Sequence, residues 1–130
     1  MTGPYRVLVT GSRDWPASNV VWAALNNARD EALITGRSLV VVHGVCPTGA
    51  DAQARDWCLT ANGFVNGVTE EHHPANWRIN GRRAGFIRNA HMVYLGADLC
   101  LAFIRNGSRG ASHTAGLAEQ AGIPVRRWTT

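Results

Sequence analysis

Four stretches of this sequence gather glycine, hydroxyl and guanidinium groups into short runs. They are Gly11-Ser12-Arg13-Asp14; His43-Gly44 through Thr48-Gly49-Ala50-Asp51; His73-Pro74 to Trp77 with Arg82, Arg83, Arg88 and Asn89; and Asn106 to Thr114. Glycines let backbone N–H groups approach an anion, and a helix starting at such a run adds about half a positive charge. Gly107-Ser108-Arg109-Gly110 is therefore a candidate phosphate cradle, with hydroxyls from Ser108, Ser112 and Thr114. An ordinary helix-capping turn is the simpler reading of the same residues. Gly11-Ser12-Arg13 is a second candidate. Arg13, Arg83, Arg88 and Arg109 are expected to face phosphate, because a planar guanidinium matches its oxygens. Arg29, Arg37, Arg55, Arg126 and Arg127 are expected to be solvated. Trp77, in a polar loop, offers a face on which a base can stack, with a lid contact or a subunit contact as alternatives. Trp22 and Trp57 fall on helical stripes and read as core.

Asp14 and Asp51 are the carboxylates placed for acid–base chemistry, although Asp51 also reads as the acid of a capping box with Thr48. Asp98 precedes a strand, which puts it at the opposite edge. His43, His73 and His113 share the edge of the four runs, but their spacing is not that of a metal site. His72 and His73, as neighbours on a strand, would point to opposite faces. No metal and no cofactor are expected. A G-x-S-x-G nucleophile turn is lacking. The second strand ends in His43 rather than an acidic residue, and Gly11-Ser12-Arg13 is not a dinucleotide fingerprint, which disfavours a conventional NAD enzyme. All 13 of the Lys+Arg residues are arginine. Without lysine there is no Walker-type phosphate loop, no Schiff-base enzyme and no kinase of the usual kind.

These groups need a scaffold, and the apolar pattern supplies one. Arg6–Thr10 and Leu39–His43 are short apolar runs closed by glycine, the mark of buried strands; Leu99–Phe103 is a third strong strand, and Pro124–Trp128 closes the chain as a last strand. Val65–His73 is a weaker strand. Helical spacing runs from Pro16 to Gly36, from Ala50 through Ala61 to Gly63, from about Arg82 to Leu95, and from about Ala111 to Ala121. Residues 75–81 read as loop. Alternating strands and helices predict an α/β fold: a Rossmann-like three-layer sandwich with a mainly parallel sheet of about five strands. In such sheets ligands bind at the carboxyl ends of the strands. The 130 residues, 45% hydrophobic, suit one domain spanning 1–130. Net charge +4 and a pI near 9.6 suit an anionic partner, although a GC-rich genome also writes arginine for lysine. Widely spaced Cys46, Cys58 and Cys100, and the absence of a signal-like amino terminus or apolar span, give the cytoplasm as the expected compartment and no membrane association.

Read in order, Val7-Leu8-Val9-Thr10-Gly11-Ser12-Arg13-Asp14-Trp15, Val42-His43-Gly44-Val45-Cys46-Pro47-Thr48-Gly49-Ala50-Asp51, His73-Pro74-Ala75-Asn76-Trp77, Gly85-Phe86-Ile87-Arg88-Asn89 and Ala97-Asp98-Leu99-Cys100-Leu101-Ala102-Phe103 closely resemble the YspA-like, YpsA-related branch of the SLOG superfamily. The resemblance implies a Rossmann-like domain that binds a nucleotide or nucleotide-derived ligand; a phosphorylated small molecule as the ligand and a homo-oligomer are expected with it. Its wider relatives include LOG-type phosphoribohydrolases and DprA-type single-strand DNA-binding proteins. The LOG phosphate motif falls loosely on Asn106 to Thr114: Gly107 and Gly110 match its glycines, Ala111 replaces threonine, and Thr114 stands in the place of the catalytic glutamate. Arg88 corresponds to the arginine facing that site. Phe86 stands where proline is usual, and His91 where an acidic residue is common. Cleavage of an N-glycosidic bond needs a carboxylate beside an oxocarbenium-like centre, a role left here to Asp14 or Asp51. Three readings follow. A small-molecule binding domain leads; a nucleotide N-glycosidase of the LOG type and a DprA-like nucleic-acid binder are the alternatives.

Overall fold

The computed structural model describes residues 3–60 and 67–130. Five strands form one parallel sheet: β1 (Tyr5–Gly11), β2 (Leu39–His43), β3 (Val68–His72), β4 (Leu99–Ile104) and β5 (Val125–Thr129), in the order β3-β2-β1-β4-β5. Between them run α1 (Ser18–Ile34), α2 (Gly49–Leu59), the single-turn α3 (Trp77–Asn80), a 3₁₀ turn (Gly81–Arg83), α4 (Ala84–Leu95) and α5 (Arg109–Gln120). The expected α/β sandwich is what forms. The residues expected to carry the second helix to Ala61 and Gly63, and to begin the third strand at Val65, lie outside the described residues.

The three central strands are mostly apolar, Arg6, Thr10 and His43 lying near strand ends, because helices cover both faces. Alternate residues Val7, Val9, Leu39, Val41, Leu101 and Phe103 face α1 and α2, where Val21, Leu25, Ala54 and Trp57 complete a dry layer. The intervening residues Leu8, Val42 and Cys100 face the other side, against Met92 and Val93 of α4 and Ala118 of α5. Each fully buried aliphatic side chain contributes roughly 1.5–3 kcal/mol relative to exposure, which is why strand boundaries follow the apolar runs. Ala97 and Asp98 link α4 to β4, and Asp98 lies at the amino edge, accepting the Arg6 N–H and pairing with Arg37 at 3.0 Å.

Chain order reverses at β1: β2 and β3 step outward on one side, and β4 and β5 on the other. The loops leaving β1 and β4 therefore diverge to opposite faces and open a crevice between them. Among the described residues, no helix is long and apolar enough to cross a membrane.

Residues 77–80, expected as loop, form one helical turn. Asn76 caps it, its side-chain oxygen accepting the Ile79 N–H at 3.1 Å. Asparagine caps with the residue three positions on, a local pattern that four residues are too few to show as periodicity.

Candidate functional site

A cleft of about 310 Å³ opens at the reversal point, bounded by the β1 loop, the β2 loop, α3, α4 and the first turn of α5. Gly11, Ser12, Arg13 and Asp14 enter from β1, Asp51 from α2, Trp77 from α3, Arg88 and Asn89 from α4, and Ser108 and Gly110 from the α5 turn. These ten candidates from the sequence thus converge on one wall system. Cys46, Arg82, Phe86 and Met92 line it too and were not among them. Arg82 belongs to the third stretch but is not among the arginines expected to face phosphate, and Phe86 stands out in the sequence only where the resemblance places proline.

The β1 loop is held by bonds that span the sheet. The Ser12 N–H donates to the Phe103 carbonyl at 2.9 Å, and its Oγ accepts the Arg105 N–H at 2.8 Å. Glycine is required where this loop meets α2. A Cβ on Gly11 would overlap that of Ala50, and one on Gly49, whose φ is +74°, would strike the Ser12 carbonyl.

Asp51 does not act as a capping-box acid. Its buried carboxylate Oδ2 accepts N–H groups from Gly44 at 3.2 Å and Cys46 at 3.3 Å, while Thr48 Oγ1 donates to the Arg13 carbonyl. Three-dimensional proximity of the two loops outcompetes the local bond. Val45, between the two donors, has φ +58°, a conformation that costs a β-branched residue roughly 1–3 kcal/mol. Its N–H donates to His43 Nδ1 at 3.0 Å, so three consecutive backbone donors hold the strained turn. Burial first, then the Asp51 charge, pushes the Cys46 thiol up. It stays protonated at neutral pH and is a poor nucleophile.

Arg88 is partly engaged by the fold. Nη1 donates to the carbonyls of Gly44 and His73, and Nε to Asn89 Oδ1. It walls the cleft from a shallower groove of about 240 Å³ containing His72, His73 and His91. Arg13 lies over the Trp77 ring, 5.4 Å from its centroid. Phe86 packs edge-on against His113 of α5 at 5.3 Å, tying the first turns of α4 and α5 together.

Seven candidates stay off the cleft wall, each for a visible reason. Gly44 lies beneath the Arg88 guanidinium, Thr48 is bonded to Arg13, and Gly49 is pressed on the β1 loop. Gly107 turns the chain with φ +64°. Arg83, Arg109 and Ser112 are exposed and do not line the cleft. Arg29 and Arg37, expected to be solvated, are mostly buried. Arg37 is held by the carbonyls of Gly3 and Pro4, while Arg29 approaches only Asp30, at 3.9 Å.

His43, Glu70 and His72 bring three ligand-type atoms within 4.8 Å of one another. His43 and His72 are register partners on β2 and β3, and Glu70 Oε2 lies 2.7 and 3.0 Å from their Nε2 atoms. Because His43 Nδ1 accepts the Val45 N–H, Nε2 carries the ring proton and donates it to Glu70. A metal on Nε2 would need the opposite tautomer. The cluster is a hydrogen-bonded clamp. Burial raises the Glu70 carboxyl, but the two histidine bonds more than offset it and hold the carboxyl below its usual range. Glu71 and His73 point to the other face, as neighbours on a strand must, with Glu71 bidentate to Arg6 at 2.6 and 2.9 Å.

The profile of the YspA, cpYpsA-related SLOG family matches residues 5–79, from β1 to α3, including the β1 and β2 loops of the cleft. The chain belongs to that family. It is also similar to the Gene 61 protein of Mycobacterium phage D29, 46% identical over 122 residues that cover 92% of this chain and 93% of that protein. No solved structure gives a significant match. The SLOG profile ends at α3, so α4 and α5, which supply Arg88, Phe86 and Gly110, lie beyond the matched residues.

Proposed function

We propose that this SLOG-family chain binds a nucleotide or nucleotide-derived phosphorylated small molecule in the cleft at the carboxyl edge of the sheet. The observation that carries this reading is the uncapped start of α5. The N–H groups of Arg109, Gly110 and Ala111 precede the first intrahelical bond and have no acceptor among the described residues, and the Ser108 side chain does not cap them. Gly110 and Ala111 line the cleft. Orphan donors and the helix dipole together favour an anion there. Arg13 and Arg82 add positive charge, and Trp77 and Phe86, each nearly half exposed, offer faces for a base. A volume near 310 Å³ is at the small end for ligand pockets, which suits one nucleotide unit. Calorimetry with nucleoside monophosphates, cyclic nucleotides and ADP-ribose tests it. Binding is expected, weakened roughly 10-fold or more by Arg13→Ala; silence across the panel overturns the reading.

A second reading, hydrolysis of the N-glycosidic bond, is favoured by one observation: Asp51 places a buried carboxylate in the cleft, oriented by two backbone donors. Asp51→Asn keeps an acceptor for Gly44 and Cys46 but removes the charge that would stabilise an oxocarbenium-like centre. Release of free base by the wild type and its loss in Asp51→Asn would support turnover. Base release unaffected by the substitution would exclude Asp51.

A homo-oligomer fits the outer face of α4. Ile87, Ala90, His91, Tyr94 and Leu95 are exposed there without a carboxylate or guanidinium among them. The exposed faces of α1 and α5 carry Asp30 and Glu119. An apolar stripe of this kind is ordinarily buried. Light scattering during gel filtration distinguishes a monomer from an oligomer.

A further inference from the structure

The arginines divide sharply by position. Arg6, Arg29, Arg37, Arg105, Arg126 and Arg127 each lie within 4.0 Å of a carboxylate: Glu71, Asp30, Asp98, Asp14, Glu31 and Glu119 respectively. Arg13, Arg78, Arg82, Arg83, Arg88 and Arg109 have no carboxylate partner among the described residues, nor has Arg55 on α2; Arg13, Arg82 and Arg88 line the cleft, and the exposed Arg78, Arg83 and Arg109 each adjoin in sequence a residue that lines it, Trp77, Arg82 and Gly110 respectively. Asp14 and Asp51 line the cleft itself, but neither lies within 4.0 Å of these arginines, and no acidic residue occurs between Glu71 and Asp98, the segment that carries Arg78, Arg82, Arg83 and Arg88. A chain that pairs its guanidiniums elsewhere leaves them unneutralised here, where their mutual repulsion opposes folding.

One phosphate does not account for this. The α5 terminus with Arg13 and Arg82 already suffices for a phosphate dianion inside the cleft. Arg78 and Arg83 lie outside the cleft wall, exposed, and can meet only a group that extends beyond the mouth. The Phe86–His113 contact holds the 3₁₀ turn carrying Arg82 and Arg83 beside the α5 start, so the two sources of positive charge flank one opening. From this distribution, and resting on the nucleotide-binding reading above, we infer that the ligand is a nucleoside polyphosphate whose outer phosphates cross the rim at Arg78 and Arg83. Guanidinium forks suit successive phosphates, each offering a pair of oxygens to a bidentate contact.

The test is calorimetry with AMP, ADP and ATP at one fixed ionic strength and with EDTA, on the wild type and on the double variant Arg78→Ala/Arg83→Ala. The wild type is expected to tighten about 5- to 10-fold with each added phosphate. The double variant is expected to flatten the series toward the AMP affinity. Equal affinity of the wild type for all three overturns the inference while leaving nucleotide binding intact; no binding of any overturns the underlying reading instead. A gradient that persists in the double variant also overturns it. A single-stranded oligonucleotide binding more tightly than ATP, with the steep salt dependence of counterion release, would replace the polyphosphate with a nucleic-acid strand.

Discussion

The guanidinium of Arg88 lies directly on Gly44: Nη1 donates to the Gly44 carbonyl at 2.6 Å, and a Cβ on that glycine would collide with the same group. The pair joins α4 to the end of β2 beside the cleft, and the His73 carbonyl accepts from the same nitrogen at 3.2 Å. Arg88 is thus a positioning residue for the β2 loop as well as part of the wall.

Arg88→Ala leaves the Gly44 and His73 carbonyls and Asn89 Oδ1 without this donor. A loss of about 2 kcal/mol or more is expected by chemical denaturation. Arg88→Lys should recover little of it, since an ammonium cannot reproduce a planar fork. Gly44→Ala should mimic Arg88→Ala by forcing the guanidinium aside. A Gly44→Ala protein as stable as the wild type would show that the contact does not organise the loop.

Two glycines with positive φ separate conformation from crowding. Gly107, φ +64°, has open space where a Cβ would sit, whereas Gly49, φ +74°, faces the backbone of Ser12 and Arg13. Gly107→Ala should cost about 1–2 kcal/mol for the left-handed backbone alone. Gly49→Ala should cost about 1–3 kcal/mol beyond that, because the β1 loop must move. Equal losses in thermal unfolding would mean that the two loops are not in contact as described.

The Arg6–Glu71–His73 chain predicts a pH dependence. The Arg6 hydrogen bonds, opposed by burial and helped by His73, hold the Glu71 carboxyl down to about 2 from an ordinary value of 4.5. The unfolded chain therefore takes up this proton first as pH falls. The stabilisation is fully present above about 4.5 and fades as pH drops toward 2. Urea midpoints measured between pH 5 and pH 3 should fall less in Glu71→Gln than in the wild type. Identical slopes for both proteins would remove Glu71 as a contributor.

The elements were legible in the sequence because burial on both faces writes a parallel strand as an unbroken apolar run. Leu39–His43 is recovered without change, β1 extends its expected span by one residue at each end, and β4 extends by one at its carboxyl end. The gathering of Ser12, Asn89 and Ser108 at one crevice follows from strand order in the same way, since successive parallel strands place their carboxyl ends on one edge. The role of Asp51 was not legible. Local spacing offered it the amino end of its own helix, whereas packing brought the Gly44 and Cys46 donors nearer.

Residue type and spacing by themselves determined the alternation of strand and helix, the absence of lysine chemistry, and the edge on which glycines and arginines collect. Only the tertiary structure decided which arginines are neutralised. Arg126 finds Glu31, and Arg6 finds Glu71, across 95 and 65 positions of chain, while Arg78 and Arg83 find no carboxylate among the described residues. Ion pairing is fixed by distance in space, and spacing along a chain carries that distance only within a turn or a strand.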